Sequence, residues 1–452
     1  MKIIVCGAGN VGKSIVSYLV LGNNDIVVID NDANNLNALA KEFDVQPILG
    51  NASHPEILER ADAEHTDVLV AVTGSDEVNM VACEVGAALF NIPKKIARVD
   101  SQDFLNPLWG GLFQDKHIPI DIVISPSYAI AEEILSLLKF PGMSFVKPLL
   151  QKKVYLFAFR CTTDSNVIGL TVKGFEEYIP QTDMRVMSVV KENKIFIPTN
   201  VYTFQQGDLI YFLCTQENAE TIIHGLNMEK STIEKVLMFG GNDISRYLAS
   251  ELQKDDAIIS SRIIEEHPET AQWLAKQLAA TAVINGDLMS NVILEEAGLD
   301  SCDAAIAVLP HDKDNLLVTL LAKQHHVPLC ISLANASFND SFENNLHDNL
   351  TVDGSAVIIS SMLKDLRKAR IRDAYSLGRG LGEIWEVVIG QENPNADQKI
   401  KDINWPPSCR IGLISRQGKL IFPHDDTILQ TDDVLIIYVS GGGIKKAEKL
   451  FA

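Results

Sequence analysis

Several features that mark particular classes of protein are missing from this chain of 452 residues. No apolar run approaches the ~20 residues that a membrane-spanning helix needs. The seven cysteines are scattered and include no C-x-x-C pair, which indicates core residues in a reducing compartment rather than a disulfide framework. The ten histidines show no metal-ligand spacing, and no nucleophile, base and acid stand out as a triad. We therefore predict neither catalytic nor metal-binding residues.

Positive charge is also scarce. The chain has 59 acidic residues against 39 basic ones, which gives a formal charge of −20 at pH 7. Because phosphate binding needs a clustered basic surface, we expect no nucleic-acid partner. The same charge does not favour direct adsorption to anionic lipid, so any membrane association should go through a protein. Residues 1–6 lead directly into a glycine loop and leave no room for a signal peptide, so we expect a cytoplasmic protein.

The most informative segment is residues 7–14, which read GAGNVGKS and fit two phosphate-binding templates. As G-x-G-x-x-G the segment is the dinucleotide fingerprint of a Rossmann unit, and as G-x-x-x-x-G-K-S it is a P-loop. An apolar run precedes it, and apolar residues at helical spacing follow it. Both templates need this strand-turn-helix context and place phosphate at the helix N-terminus. The loop by itself leaves dinucleotide binding and nucleotide hydrolysis both open.

The next strand favours the Rossmann interpretation. Residues 26–29 are β-branched and end at Asp30, about 20 residues beyond the loop, where a Rossmann unit places the acid that bonds the ribose hydroxyls. A P-loop would need Lys13 on the phosphates and Ser14 on a magnesium ion. The sequence offers no residue to position an attacking water. We therefore interpret Lys13 as a solvated lysine and Ser14 as a packed serine.

The chain also repeats itself. The strand and loop at residues 3–7 recur at 236–240, Asp30 recurs as Glu265, and Asn79 recurs as Asn315, all at a nearly constant spacing. Short alternating strands with turn residues follow each copy, which is typical of a small α+β module. A constant spacing across several matches indicates a duplicated pair of domains.

The predicted fold class is α/β, with two Rossmann-like domains each followed by a small α+β module. The predicted segments are a nucleotide-binding domain at 1–125, a crossover helix at 126–142, a small module at 143–228, a degenerate Rossmann-like domain at 232–350, a crossover helix at 351–371 and a small module at 372–452. Each crossover helix has one apolar face. Packing within the chain and docking of a neighbouring subunit both remain open for these faces.

The order of these domains resembles the TrkA family of Trk potassium-uptake regulatory subunits, which are built from paired RCK (KTN) domains. The resemblance covers essentially the whole chain, and its clearest stretches are residues 3–12, 50–55, 71–73, 76–82, 95–99 and 447–451. It implies RCK N-type and RCK C-type domains in a cytoplasmic subunit that associates peripherally with the inner face of the plasma membrane. It also implies binding of NAD(H), with ATP or ADP as further candidates, and a ring-like homo-oligomer, dimeric or tetrameric. Nucleotide-dependent changes in this assembly would gate a potassium-translocating membrane subunit.

The predicted cofactor-binding residues are Gly7, Gly9, Asn10, Val11, Gly12, Asp30, Asn51, Thr73 and Arg98. The glycines allow a tight turn, close approach to a pyrophosphate and helix-to-strand packing. A carboxylate at Asp30 repels a 2′-phosphate and so disfavours NADP, and we expect the nearby Asp32 to be a turn or cap residue. Thr73 ends an apolar strand whose carboxyl end faces the binding crevice. The resemblance implies that Arg98 faces phosphate and that Asn51 contacts the adenosine half. A surface salt bridge and a turn residue are the respective alternatives.

The second copy departs from this pattern. Asn242 and Ser245 stand where the first copy has Gly9 and Gly12, and Leu309 and Ser332 replace Thr73 and Arg98. Side chains at the first two positions should crowd a pyrophosphate. We predict that the second copy keeps the fold but binds nucleotide weakly or not at all.

The leading hypothesis is a regulatory binding protein that is not an enzyme. An NAD-dependent oxidoreductase is the main alternative, but it needs a substrate pocket and an acid or base beside the nicotinamide. The duplicated layout offers no large catalytic domain that could provide such a pocket or such an acid or base. A P-loop NTPase that uses Lys13 and Ser14 is the remaining alternative.

Overall fold

The computed structural model describes residues 1–22, 24–105, 107–109, 111–113, 117–226, 232–334, 350–366, 370–378 and 380–451. These residues form two compact units. The first unit combines Met1–Ile130 with Asp353–Met362, and the second contains Ala131–Ala334, residues 350–352 and the described part of Leu363–Ala452. No helix among the described residues is long and apolar enough to span a membrane.

A six-stranded parallel sheet forms the core of the first unit, in the order β3-β2-β1-β4-β5-β6. Its strands β1–β6 are Lys2–Cys6, Asp25–Asp30, Gln46–Leu49, Val68–Ala71, Lys94–Arg98 and Ile122–Ile124. Helices α1–α5 are Asn10–Val20, Ala33–Glu42, Pro55–Arg60, Asp76–Phe90 and Gln102–Leu105. Residues 3–6 of the central strand β1 are fully buried, as expected for a parallel strand covered on both faces. This strand order is that of a doubly wound Rossmann sheet, whose ligand crevice lies where β1 and β4 diverge.

The chain then forms helix α6, Pro126–Lys139, and a five-stranded antiparallel sheet in the order β10-β9-β11-β8-β7. Strands β7–β11 are Phe145–Leu149, Val154–Arg160, Met184–Lys191, Lys194–Phe196 and Leu209–Thr215. Helices α7 and α8 are Val172–Glu176 and Gln216–Gly225. The first small module is therefore α+β, as the alternating strands predict.

The second Rossmann-like sheet repeats the first, in the order β14-β13-β12-β15-β16-β17. Strands β12–β17 are Lys235–Phe239, Ser260–Glu265, Thr281–Asn285, Ala304–Ala307, Leu329–Ala334 and Leu350–Asp353. Helices α9–α12 are Asp243–Leu252, Pro268–Gln277, Asn291–Glu296 and Asp312–Gln324. The repeated strand order confirms the duplication that the sequence spacing predicts.

Helix α13, Gly354–Leu366, leads to the second antiparallel sheet, in the order β18-β19-β22-β20-β21. Strands β18–β22 are Ile371–Ser376, Glu383–Val388, Cys409–Arg416, Lys419–Ile421 and Val434–Val439, and helix α14 is Ile444–Phe451. Both small modules contribute to one apolar cluster, in which Leu213 and Leu413 are fully buried. An arginine side chain of each module also donates to a backbone carbonyl oxygen of the other. Arg185 donates to the carbonyl oxygen of Pro423 at 3.1 Å, and Arg410 donates to that of Pro198 at 2.7 Å.

The helices that follow the two Rossmann-like sheets are exchanged between the halves of the chain. In the first unit, Ser14 of α1 hydrogen-bonds Ser355 of α13, with 2.7 Å between their Oγ atoms. In the second unit, Tyr247 of α9 donates to Glu132 of α6 at 3.3 Å. Of the two partners that the sequence leaves open for these helices, the structure shows contacts within the same chain. The residue limits predicted for the six segments stay predictions.

Candidate functional site

The turn from β1 to α1 lies at the carboxyl edge of the first sheet, and two of its glycines are required by close packing. Gly7 has φ of +112°, and a Cβ there would lie 2.7 Å from the carbonyl oxygen of Val72. Its N–H donates to the carbonyl oxygen of Ile29 at 2.7 Å. A Cβ at Gly12 would overlap the carbonyl oxygen of Gly7. The two glycines therefore let α1 start directly against the strand ends.

Gly9 is different because packing does not require it. Its backbone is extended, with φ of −70°, and no described atom outside its immediate neighbourhood lies within 4 Å of a Cβ built there. Among the residues that the structure describes, no side chain caps α1 at this position. The first N–H groups of the helix, at Asn10, Val11 and Gly12, thus face a space without a capping side chain. Such a helix start is a ready anion-binding position.

Asp30 ties the end of β2 to this turn. One carboxylate oxygen accepts from the N–H of Ala8 at 2.5 Å, and the other accepts from the N–H of Asp32 at 2.7 Å. Each oxygen has a further lone pair that can accept from a ligand hydroxyl. Asp32 in turn caps α2 by accepting from the N–H of Asn34 at 2.8 Å, as the sequence predicts. The acid therefore lies beside the glycine turn, where a ribose diol requires an acceptor.

The two residues that define a P-loop have other partners. The ammonium of Lys13 lies 2.7 Å from a carboxylate oxygen of Glu42. Ser14 is only 4% exposed, and its hydroxyl donates to the carbonyl oxygen of Asn10 at 2.8 Å. A magnesium site requires the hydroxyl to turn toward the phosphates. These contacts support the interpretation of a solvated lysine and a packed serine.

A buried amide organises the opposite side of the crevice. Asn79 of α4 is 0% exposed, and its Oδ1 accepts from both the N–H and the hydroxyl of Thr73, at 2.8 and 2.7 Å. Its Nδ2 donates to the carbonyl oxygens of Thr73 and Arg98, at 3.2 and 3.0 Å. One side chain thus joins the ends of β4 and β5. The sequence gives Asn79 only a place on the first turn of a helix, although its recurrence as Asn315 is a sign of this role.

Arg98 and Asn51 lie at strand ends but already have protein partners. The Nε of Arg98 donates to Asp100 at 2.6 Å, and Asp100 also accepts from the hydroxyl of Ser125 at 3.1 Å. The Oδ1 of Asn51 accepts from the N–H and the hydroxyl of Ser53, at 3.0 and 2.9 Å. The contact of Asn51 is that of a turn residue, which is the alternative weighed for it. Arg98 forms a salt bridge, but its partner Asp100 is only 8% exposed, so this is not a surface pair. Their contacts to a nucleotide stay predictions.

The second half keeps the scaffold but closes the helix start. Gly240 has φ of +102°, and Glu265 accepts from the N–H of Gly241 at 2.6 Å, just as Asp30 bonds the first loop. Asn242, however, caps α9 by accepting from the N–H groups of Ile244 and Ser245, at 3.0 and 3.1 Å. Ser245 completes a capping box by accepting from the N–H of Asn242 at 2.9 Å. The groups that would receive a phosphate are therefore occupied by side chains.

Cys6 and Cys83 pack in the apolar core of the first unit. Cys6 immediately precedes Gly7 and is fully buried, and this burial raises the pKa of its thiol. Burial likewise raises the pKa of Cys83 to about 12. Both thiols are thus protonated core residues at neutral pH. Within the described ranges, no cluster of three or more His, Cys, Asp or Glu residues is placed to hold a metal ion.

Comparison with known proteins agrees with this architecture. The model of the TrkA-N domain family matches residues 3–126 and 236–354, and the model of the TrkA-C domain family matches residues 384–452. The crystal structure of the GsuK RCK domain superposes with a TM-score of 0.64 at 16% identity, covering 100% of this chain and 94% of that one. A GsuK channel bound to NAD superposes with a TM-score of 0.61 at 15% identity, covering 99% and 79%. These structures show that the chain has the RCK fold.

Sequence similarity extends over the full length. The chain is 31% identical to the Trk system potassium uptake protein TrkA of Azorhizobium caulinodans, with 100% of this chain and 98% of the relative aligned. With two TrkA-N matches, a TrkA-C match and a full-length relative at this identity, the chain belongs to the TrkA family of Trk system potassium uptake proteins.

Proposed function

We propose that this chain is a cytoplasmic, nucleotide-binding regulatory subunit of a Trk-type potassium uptake system. In this proposal the first half binds NAD(H), and the bound nucleotide shifts the chain between two conformations that differ in affinity for it. A potassium-translocating membrane subunit, held at the inner face of the plasma membrane, would respond to that shift. Family membership supports the potassium system, and the geometry of the first loop supports the nucleotide.

The observation that carries the proposal is the contrast between the two helix starts. In the first half, Gly9 leaves the N-terminus of α1 without a capping side chain, and Asp30 lies beside it. In the second half, Asn242 and Ser245 fill the equivalent place. An open helix N-terminus next to an acid fits a pyrophosphate and an adenosine ribose. We therefore propose one nucleotide site per chain.

The acid at Asp30 also selects among nucleotides. Its carboxylate accepts from the 2′- and 3′-hydroxyls of an adenosine ribose but repels a 2′-phosphate, which favours NAD(H) over NADP(H). ATP and ADP carry the same ribose and a comparable diphosphate, so they are expected competitors for the site. The GsuK channel was solved bound to NAD, which supports NAD(H) as the first ligand to test.

The decisive variant is Gly9→Asn, which gives the first loop the capping residue of the second. Because no described atom crowds a Cβ at Gly9, the unliganded protein should unfold at the wild-type temperature. The Asn side chain should occupy the phosphate position and weaken NADH binding by about tenfold or more, or at least 1.4 kcal/mol. Calorimetric titration gives the affinity, and thermal unfolding gives the stability.

A matched control is Gly442→Asn, which adds the same side chain at a glycine that is also uncrowded, in the second small module. NADH should bind this control as it binds the wild type. Unchanged NADH affinity in Gly9→Asn, or two equally tight sites per chain, would contradict the proposed site. Oxidation of NADH in the presence of a substrate would favour the oxidoreductase alternative instead.

For the transport role, potassium flux through the reconstituted membrane subunit should depend on NADH with wild-type chain and lose that dependence with Gly9→Asn.

A further inference from the structure

Two serines connect the nucleotide loop of the first half to the helix that follows the second half. Ser14 and Ser355 are each 4% exposed, and their hydroxyl oxygens are 2.7 Å apart although 341 residues separate them in the sequence. We refer to this hydrogen bond as the serine bridge. Because both hydroxyls are buried, water does not readily replace the hydrogen bond between them.

The hydroxyl of Ser14 also contacts the first turn of its own helix. A serine hydroxyl has one proton to donate, and Ser14 donates its proton to the carbonyl oxygen of Asn10 at 2.8 Å. Asn10 is the first residue of α1, directly after Gly9. One hydroxyl thus links the first turn of the helix at the phosphate position to α13.

Helix α13 is well placed to carry a displacement onward. Its first turn is fixed by Asp353, whose Oδ1 accepts from the N–H of Ala356 at 3.0 Å. The helix runs from Gly354 to Leu366, and the chain continues into β18 of the second small module. Because Ser355 lies in the first turn of this continuous helix, a displacement of Ser355 shifts the start of that connection.

The second half provides an internal comparison. Tyr247 occupies the position in α9 that Ser14 occupies in α1, and it bonds Glu132 of α6 at 3.3 Å. The start of α9 is already held by Asn242 and Ser245. No ligand phosphate can take their place without breaking the capping box. The second half therefore has the corresponding contact to a crossover helix, but its helix start is closed to a nucleotide.

We infer that the serine bridge couples nucleotide binding in the first half to α13 and hence to the second small module. Ser14 and Ser355 are positioning residues in this scheme, since neither contacts the nucleotide. The inference rests on the proposed function, because it specifies how the same site is connected to the rest of the chain.

Hydrogen exchange with and without NADH tests this coupling, because it reports local opening in separate segments. In the wild type, NADH should slow exchange in residues 7–20 and change it in residues 354–366. In Ser355→Ala, NADH affinity should stay within about threefold of the wild-type value, a difference below 1 kcal/mol. The slowing in residues 7–20 should persist, but the NADH-dependent change in residues 354–366 should be lost.

The double variant Ser14→Ala and Ser355→Ala removes both hydroxyls of the bridge, so that neither hydroxyl is left facing a methyl group. It should show the same loss of response in α13. The control Ser361→Ala, which removes a hydroxyl that bonds the Ile358 carbonyl oxygen of its own helix, should respond like the wild type. A full response of residues 354–366 in the double variant, or none in the wild type, would overturn the coupling. If NADH leaves residues 7–20 of the wild type unchanged, the nucleotide site itself is wrong.

Discussion

At the scale of single residues, the glycines of the first loop serve two different requirements. Gly12 is needed by the fold, because a Cβ there would overlap the carbonyl oxygen of Gly7. Gly9 is not needed by the fold, and its lack of a side chain matters only to a ligand. The fingerprint G-x-G-x-x-G does not distinguish these roles, whereas the surroundings of each Cα do.

We therefore expect Gly12→Ala to destabilise the protein even without nucleotide. The added methyl group would force α1 away from the end of β1, and forced contacts of this kind cost about 1–3 kcal/mol. Thermal unfolding of the unliganded variant measures the loss. Gly9→Asn is the comparison on the same loop, and equal unfolding temperatures for the two variants would refute the distinction.

At the scale of elements, a buried asparagine joins neighbouring strands in each half. Asn79 bonds Thr73 and the Arg98 carbonyl oxygen. Asn315 bonds the N–H of Leu309 and the carbonyl oxygen of Leu333, at 2.6 and 2.9 Å. Each amide hydrogen-bonds backbone groups at the ends of two strands.

Replacement of either asparagine by alanine should cost stability, at about 1–3 kcal/mol for each backbone group left unsatisfied. The two variants should differ in ligand binding. Asn79→Ala loosens the crevice of the proposed site and should weaken NADH binding, whereas Asn315→Ala should leave NADH affinity unchanged. Chemical denaturation and calorimetric titration of both variants separate the effects, and a loss of affinity in Asn315→Ala would show that the second half contributes to binding.

How far the sequence predicts this site depends on how local each relation is. The strand, the glycine turn and Asp30 lie within one βαβ unit, so their spacing in the sequence predicts that Asp30 lies close to the turn. The Asn79 network could not be predicted in detail, because its partners are backbone groups on two strands that apolar periodicity does not describe. The Ser14 contact to Ser355 joins two ordinary serines far apart in the chain, and neither residue type nor spacing marks such a pair.

At the scale of the whole molecule, the duplication and its strand orders follow from the repeat, and a buried acid lies at the contact between the two small modules. Glu386 of β19 is buried, and its carboxylate accepts from the N–H of Leu150, at the end of β7, at 2.8 Å. Burial raises the pKa of Glu386, and the nearby charge of Asp373 raises it further, while the bond from Leu150 acts in the opposite direction. A carboxyl group at the contact between the modules is thus easier to protonate than an exposed one.

The pH dependence follows from this direction. The raised pKa means that the folded state holds its proton above 4.5, the ordinary value for glutamate, where the unfolded chain releases it. The contribution of this protonated group to the free energy of unfolding is fully present below that pH. It is lost as pH rises through the pKa of the folded state. Glu386→Gln keeps an acceptor for Leu150 and cannot ionise, so it should unfold at a higher temperature than the wild type near pH 8 and lose this advantage near pH 4.

Thermal unfolding across that pH range measures the effect. The control Glu392→Gln removes an exposed carboxylate with the same change in charge, and its difference from the wild type should vary little with pH. If the advantage of Glu386→Gln grows toward pH 4 instead, the pKa of Glu386 is not raised in the folded protein.

The exchanged helix also determines when the first unit can be completed during synthesis. Residues 353–362 belong to the same compact unit as the first 130 residues, yet the ribosome makes them only after the whole second Rossmann-like domain. At ~5–20 residues per second this interval is on the order of tens of seconds. During that time the nascent first sheet lacks α13, and Ser14 lacks its partner from Ser355. Closing such a distant contact is slow, so the nascent chain must remain soluble with this face of α1 uncovered until residues 353–362 have been made.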